Sequence, residues 1–70
     1  MHKRSLTIAG HRTSIALEPE FWIGLEALAE RRGTRLVALI EEIDSSRQTP
    51  NLSSALRVAV LRDAQDRLES

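Results

Sequence analysis

The sequence predicts a mainly α-helical protein with one short β-strand, and three features carry that expectation. Residues 12–17 alternate between polar and apolar side chains, the period of a strand with one covered face. Two stretches follow in which apolar residues recur every three to four positions. A break rich in turn formers, "SSRQTPN", then leads into a third stretch of the same kind.

In the alternating segment Thr13, Ile15 and Leu17 share one face, and Arg12, Ser14 and Ala16 share the other. Upstream, "KRSLTIAG" also alternates, with Leu6 and Ile8 in phase with each other but opposite in parity to Ile15 and Leu17, so residues 4–9 are a candidate extra strand. Gly10 sits at the change of phase. It makes a bulge in one long strand, or it forms with His11 a two-residue turn that sets Ile8 opposite Thr13 and Leu6 opposite Ile15. A flexible arm is the third alternative.

The first helix is expected over 19–32. Pro19 suits the first helical position, Glu18 and Glu20 complement the positive end of the helix dipole, and Gly33 fits the C-terminal cap. Its apolar stripe is Phe21, Leu25, Leu28 and Ala29, with Trp22 beside it as a packing anchor. The second helix is expected over 34–45, capped by Thr34, with Leu36, Leu39, Ile40 and Ile43 at helical spacing. Pro50 disfavours helix at Thr49, and Asn51 or Ser53 can cap a third helix over 52–67 that carries Leu52, Leu56, Ala59 and Val60. All of this forms one domain over residues 1–70.

A chain of 70 residues buries only about 60% of the surface it exposes when unfolded, so a core confined to one copy is marginal. With no Cys, neither a disulfide nor a thiolate metal site can supplement it, which leaves self-association. The longest apolar run, "LVALI", is far short of the roughly 20 residues of a spanning helix, and the basic start lacks the apolar stretch of a signal peptide. A cytoplasmic protein without membrane association is expected.

Catalysis is not expected. The two histidines, His2 and His11, lie near the N-terminus, no serine occupies a nucleophile-elbow motif, and no glycine-rich phosphate loop is present. No metal ligand set and no cofactor are implied. The formal net charge is zero, but its distribution is not uniform. Residues 1–17 carry Lys3, Arg4 and Arg12 and no acid, residues 18–30 carry four Glu and no base, and Arg31, Arg32 and Arg35 cluster between the first two helices. A polyanion is steered by such local fields rather than by the net charge.

A lone strand cannot satisfy its own backbone, and the simplest partner for residues 12–17 is their copy in a second molecule. The product is an intertwined homodimer with a two-stranded antiparallel intermolecular ribbon. Thr13, Ile15 and Leu17 of both chains then face a helical core, and the ribbon has the width of a DNA major groove.

A strand of the form R-x-S-I-x-L, an acidic helix start, a helix ending in Gly and a second helix beginning "GTRLVALIEEI" together resemble the ribbon-helix-helix (Arc/MetJ-like) family of bacterial DNA-binding proteins. "KRSLTIAGHRTSIALEPEFW" with the later "NLSSALRVAVL" is similar to a compact bacterial subgroup with an extra C-terminal helix. The resemblance covers residues 3 to about 62, with the general motif at about 12–44. It implies that Arg12, Ser14 and Ala16 read base edges, and that Thr34 and Arg35 at the start of the second helix, with Lys3 and Arg4, hold phosphate. It implies a dimer core of Thr13, Ile15, Leu17, Phe21, Trp22, Leu25, Leu36, Leu39 and Ile40. The function implied is a sequence-specific transcriptional regulator, a repressor or autorepressor, with itself and double-stranded DNA as partners. The alternative is an antitoxin-like or adaptor dimerisation module with a protein partner docked through the third helix.

Overall fold

The computed structural model describes residues 1–69. Its first two elements are strands of equal length, β1 (His2–Ile8) and β2 (His11–Leu17), paired antiparallel within one chain. Within the chain, residues 12–17 thus pair with the upstream strand, the hairpin alternative that the alternation of residues 4–9 allowed. The reason is the two residues between the strands. Ala9 and Gly10 have φ of 52° and 81°, so both central positions are left-handed, as in the turn whose twist matches a hairpin. The turn therefore falls at Ala9 and Gly10 instead of Gly10 and His11. Leu6 lies opposite Thr13, Arg4 opposite Ile15 and Ile8 opposite His11, two residues away from the expected register. An even shift leaves every side chain on the face the alternation assigned to it.

Three helices follow, α1 (Pro19–Arg31), α2 (Leu36–Ser46) and α3 (Leu52–Glu69). The chain leaves β2 through Glu18, whose carbonyl accepts the first helical bonds from the N–H groups of Phe21 (3.0 Å) and Trp22 (3.2 Å). Pro19 loses nothing there, because its missing N–H lies in the unpaired first turn. Gly33 ends α1 with φ 65°, donating to Glu30 O while Thr34 N donates to Ala29 O, the paired bonds of a Schellman cap. That cap moves the next helix start. Thr34 is committed to closing α1, so Arg35 takes the N-cap position of α2 without a side-chain capping bond, in place of the expected Thr34. Asn51 caps α3 through its side-chain oxygen, which accepts from Ser54 N at 3.0 Å.

The inner face of the hairpin lies on the helices. Ile8, Ile15 and Leu17 join Trp22, Leu25, Leu28, Ala29, Leu39, Ile40 and Leu56 in one buried cluster. Six of the nine residues assigned to a shared core, Ile15, Leu17, Trp22, Leu25, Leu39 and Ile40, are thus already covered within one chain, and Thr13, Phe21 and Leu36 are half-buried. β1 supplies the missing strand, and α3 supplies the missing cover through Leu56, which is fully enclosed. Contacts of α1 with α3 rise together along both helices, from Phe21 with Arg57 to Arg31 with Asp63, so the two run parallel.

Gly24 marks their closest approach. A Cβ at this position would stand 2.5 Å from Cγ1 of Val60. Helix preference alone favours Ala over Gly by about 1 kcal/mol, but forcing an extra methyl into a packed contact costs about 1–3 kcal/mol. Gly24→Ala is therefore expected to destabilise the protein in urea melts. Combined with Val60→Ala, the pair should cost less than the sum of the two single changes, by about 1 kcal/mol.

A second link between these helices is ionic. Arg57 Nε donates to Glu18 Oε1 at 2.9 Å. The Glu18 carboxyl is held below its ordinary value of 4.5 by its own backbone N–H first and by Arg57 second. A carboxyl whose folded value is lowered stabilises the fold above the unfolded value and loses that contribution as pH falls through the folded one. The stability difference between the protein and its Glu18→Gln variant should be full near neutrality and vanish on acidification below about 4.5. Denaturant melts across that range measure it.

Candidate nucleic-acid interface

Strand parity builds the outer face of the hairpin. Lys3, Ser5 and Thr7 of β1 point away from the helices, opposite Ala16, Ser14 and Arg12 of β2 respectively. Five of the six are exposed and Ala16 is half-buried. None is acidic. In the centre the Ser5 and Ser14 hydroxyls lie 3.4 Å apart across the ladder.

The hairpin is tied down at both ends. At the turn, Ala9 N donates to Glu41 Oε2 of α2 at 2.8 Å. At the open end, Trp22 Nε1 donates to the His2 carbonyl at 2.9 Å. Arg4 stacks over the Trp22 ring at 4.5 Å and donates to Glu26 Oε1 at 3.1 Å. Arg4 shares the inner-face parity of Leu6 and Ile8, so the structure takes it away from the outer face. Of the two N-terminal cations assigned to phosphate, only Lys3 is presented outward. Ser5 and Thr7 join the outer face unassigned by sequence reasoning, which gave β1 no fixed partner; the alternation of "KRSLTI" was the available signal.

Charge pairing separates the cations into two groups. Six are engaged with acids: Arg4 with Glu26, Arg31 and Arg67 with Asp63, Arg32 with Glu42, Arg47 with Asp44 and Arg57 with Glu18. Among the described residues the side chains of Lys3, Arg12, Arg35 and Arg62 have no such partner. Two of these four stand on the outer face of the hairpin and a third at the start of α2. Among the described residues the acids without an ion pair or side-chain hydrogen bond, Glu20, Glu30, Asp66 and Glu69, all belong to α1 and α3. Net neutrality therefore reflects acids carried on the helices against cations on the strands, and it leaves the outer strand face positive.

The start of α2 is open. Its first helical bond runs from Leu39 N to Arg35 O, and no side chain caps the amides of the first turn. Such an end carries free donors and the positive pole of the helix dipole, and favours an anion. Thr34 and the exposed Arg35 flank it.

The far edge of β2 is occupied over part of its length. Ile8 and His11 close the two-residue turn, so the backbone groups of Arg12, Ser14 and Ala16 point away from β1. Ser53 Oγ of α3 donates to Ala16 O at 3.4 Å. Asn51, Leu52 and Ser53 also line a surface hollow together with Thr13, Ser14 and Ile15.

The sequence profile of the ribbon-helix-helix domain matches residues 1–64. This chain belongs to the ribbon-helix-helix family. Members of the family are generally DNA-binding transcription regulators or antitoxins, typically non-enzymatic, and they typically dimerise. Among solved structures, an uncharacterized protein from Bordetella pertussis Tohama I is similar, with a TM-score of 0.84 and 40% identity over 97% of this ribbon-helix-helix chain. The match spans 58% of that longer chain. Comparison with curated proteins finds no match. In this ribbon-helix-helix protein no described helix is long and apolar enough to cross a membrane.

Proposed function

We propose that this ribbon-helix-helix protein is a sequence-specific DNA-binding transcriptional regulator, acting in the cytoplasm as a repressor or autorepressor, that sets the outer face of its hairpin in the major groove. One observation carries the reading: the cations left without acidic partners include both basic residues of that face and the arginine at the start of α2. A two-stranded ribbon fits the major groove, and Arg12 there can meet a guanine edge through two parallel hydrogen bonds, with Ser14 and Ala16 beside it. Thr34, Arg35 and the open amides of α2 would hold a backbone phosphate. Base contacts then specify and phosphate contacts position.

These roles make separable predictions for fluorescence anisotropy with labelled duplexes across a salt series. Arg12→Ala is expected to lose discrimination between a selected site and its guanine-substituted variant, by about 1–3 kcal/mol. Arg35→Ala should weaken binding to every duplex alike and reduce the salt slope by about 1. If both variants bind and discriminate as the parent does, the reading is wrong.

A second reading, an antitoxin-like or adaptor module that works through protein contacts, is favoured by α3. Val58, Leu61 and Leu68 are exposed at helical spacing, and the first two border an apolar hollow with Phe21, Val60 and Ala64. On that reading Leu61→Glu changes the association state seen by light scattering, and the parent binds no duplex specifically.

A further inference from the structure

One cation without an acidic partner takes no part in the DNA-binding reading. Arg62 stands on the exposed side of α3, and among the described residues it pairs with no acid. Asp66, one turn further along α3, neither pairs with it nor borders the space beside it. An unpaired surface guanidinium is by itself an ordinary solvated group. What sets Arg62 apart is that it borders a hollow of about 500 Å³ enclosed by the end of α2, the turn at residues 47–49 and α3.

The sequence builds this hollow from small side chains. Ala55 and Ala59 are four positions apart, so they stand one above the other on the face of α3 that meets Ile43 of α2. Larger residues at these two positions would fill the space between the helices. Instead Ile43, Ala55 and Ala59 are half-buried and make an apolar floor, which Val58 extends. Ser46, Gln48 and Thr49 give it a polar rim, and no residue that lines the hollow is acidic.

The rim is held in place. The Ser46 hydroxyl donates to Glu42 O at 3.1 Å. Arg47 donates from Nε to Asp44 Oδ1 at 2.7 Å and from Nη1 to Thr49 O at 2.9 Å. These bonds fix the plane of its guanidinium, and neither uses Nη2. Arg47 is therefore compensated by Asp44, whereas Arg62 on the α3 side brings one uncompensated positive charge to the hollow.

We infer that this hollow is a binding site for a small organic monoanion with an apolar body, of the class of medium-chain or aryl carboxylates. The carboxylate pairs with Arg62 and the rim donors, and the hydrocarbon part lies on Ile43, Ala55 and Ala59. An apolar floor with a few convergent polar groups is the usual lining of a ligand site, and sites of this kind span roughly 300–1,000 Å³. A phosphate ester would set two charges against a single uncompensated cation, and a neutral hydrocarbon would gain nothing from Arg62. The site uses no part of the hairpin and does not depend on the DNA-binding reading.

Titration of the isotope-labelled full chain with sodium octanoate, followed through its amide NMR shifts, tests the inference. Octanoate is expected to give saturable shifts at Gln48, Thr49 and Ala59. Octanol, which has the same chain and no charge, should bind about tenfold more weakly. Arg62→Gln, a change at an exposed position, should raise the octanoate dissociation constant about tenfold. Arg32→Gln removes the same charge beyond the end of α1 and should leave that constant unchanged. The inference falls if no shift saturates, or if the saturable shifts lie at Phe21, Val60 and Ala64 beside the apolar hollow between α1 and α3. It falls equally if octanol binds as tightly as octanoate, or if Arg62→Gln weakens binding no more than Arg32→Gln does.

Discussion

The structure depends on one pairing, that of two seven-residue strands joined by Ala9 and Gly10. Two consecutive left-handed residues are costly for most side chains, and the glycine removes that cost at one of the two positions. Once the turn forms, each remaining feature of the hairpin follows. The register sets Ser5 against Ser14, parity sends Ile8, Ile15 and Leu17 to the core, and the same parity sends Lys3 and Arg12 to solvent. Leu56 of α3 then adds a fully enclosed side chain to the buried cluster formed by both strands and the first two helices.

Rigidity of the ribbon is a matter of a few tethers. Glu41 holds the turn through the Ala9 amide, while Trp22 holds the opposite end through the His2 carbonyl and carries Arg4 on its ring face. A surface held at both ends keeps its side chains in fixed register and has less freedom to lose than a loose arm would. The ion pairs matter less for stability, since exposed pairs contribute on the order of 1 kcal/mol or less. Their effect is on the field. By engaging the helical arginines they leave the positive charge of the chain where the hairpin and the start of α2 present it.

Much of this was legible in the sequence because the signals were local. The alternation over residues 12–17 fixed which side chains of β2 face out, and Pro19, Gly33 and the apolar spacing located the helices to within two residues of their ends. What local pattern could not decide was which strand pairs with which. That choice turns on the conformation of Ala9 and Gly10, and Ala gives no hint that it will adopt φ of 52°. The same gap hid the fate of Arg4, which looks from its neighbours like a free basic residue and is engaged by Trp22 and Glu26 some twenty positions away. Thr34 was misjudged as a cap for a related reason, since its amide was already needed to close the preceding helix. The edge contact from Ser53 joins residues 37 positions apart and has no signature in composition or spacing.

Cysteine trapping tests the central pairing most directly. Ser5 and Ser14 form a pair without mutual backbone bonds, the kind of site where Cα atoms approach to about 4.5 Å and a disulfide can close. Oxidation of a Ser5→Cys, Ser14→Cys protein should give a species that migrates as a single chain on a non-reducing gel and has no titratable thiol left. Two thiols that stay free after oxidation, or links formed only between chains, would mean that β1 does not lie against β2, and the central pairing would be wrong.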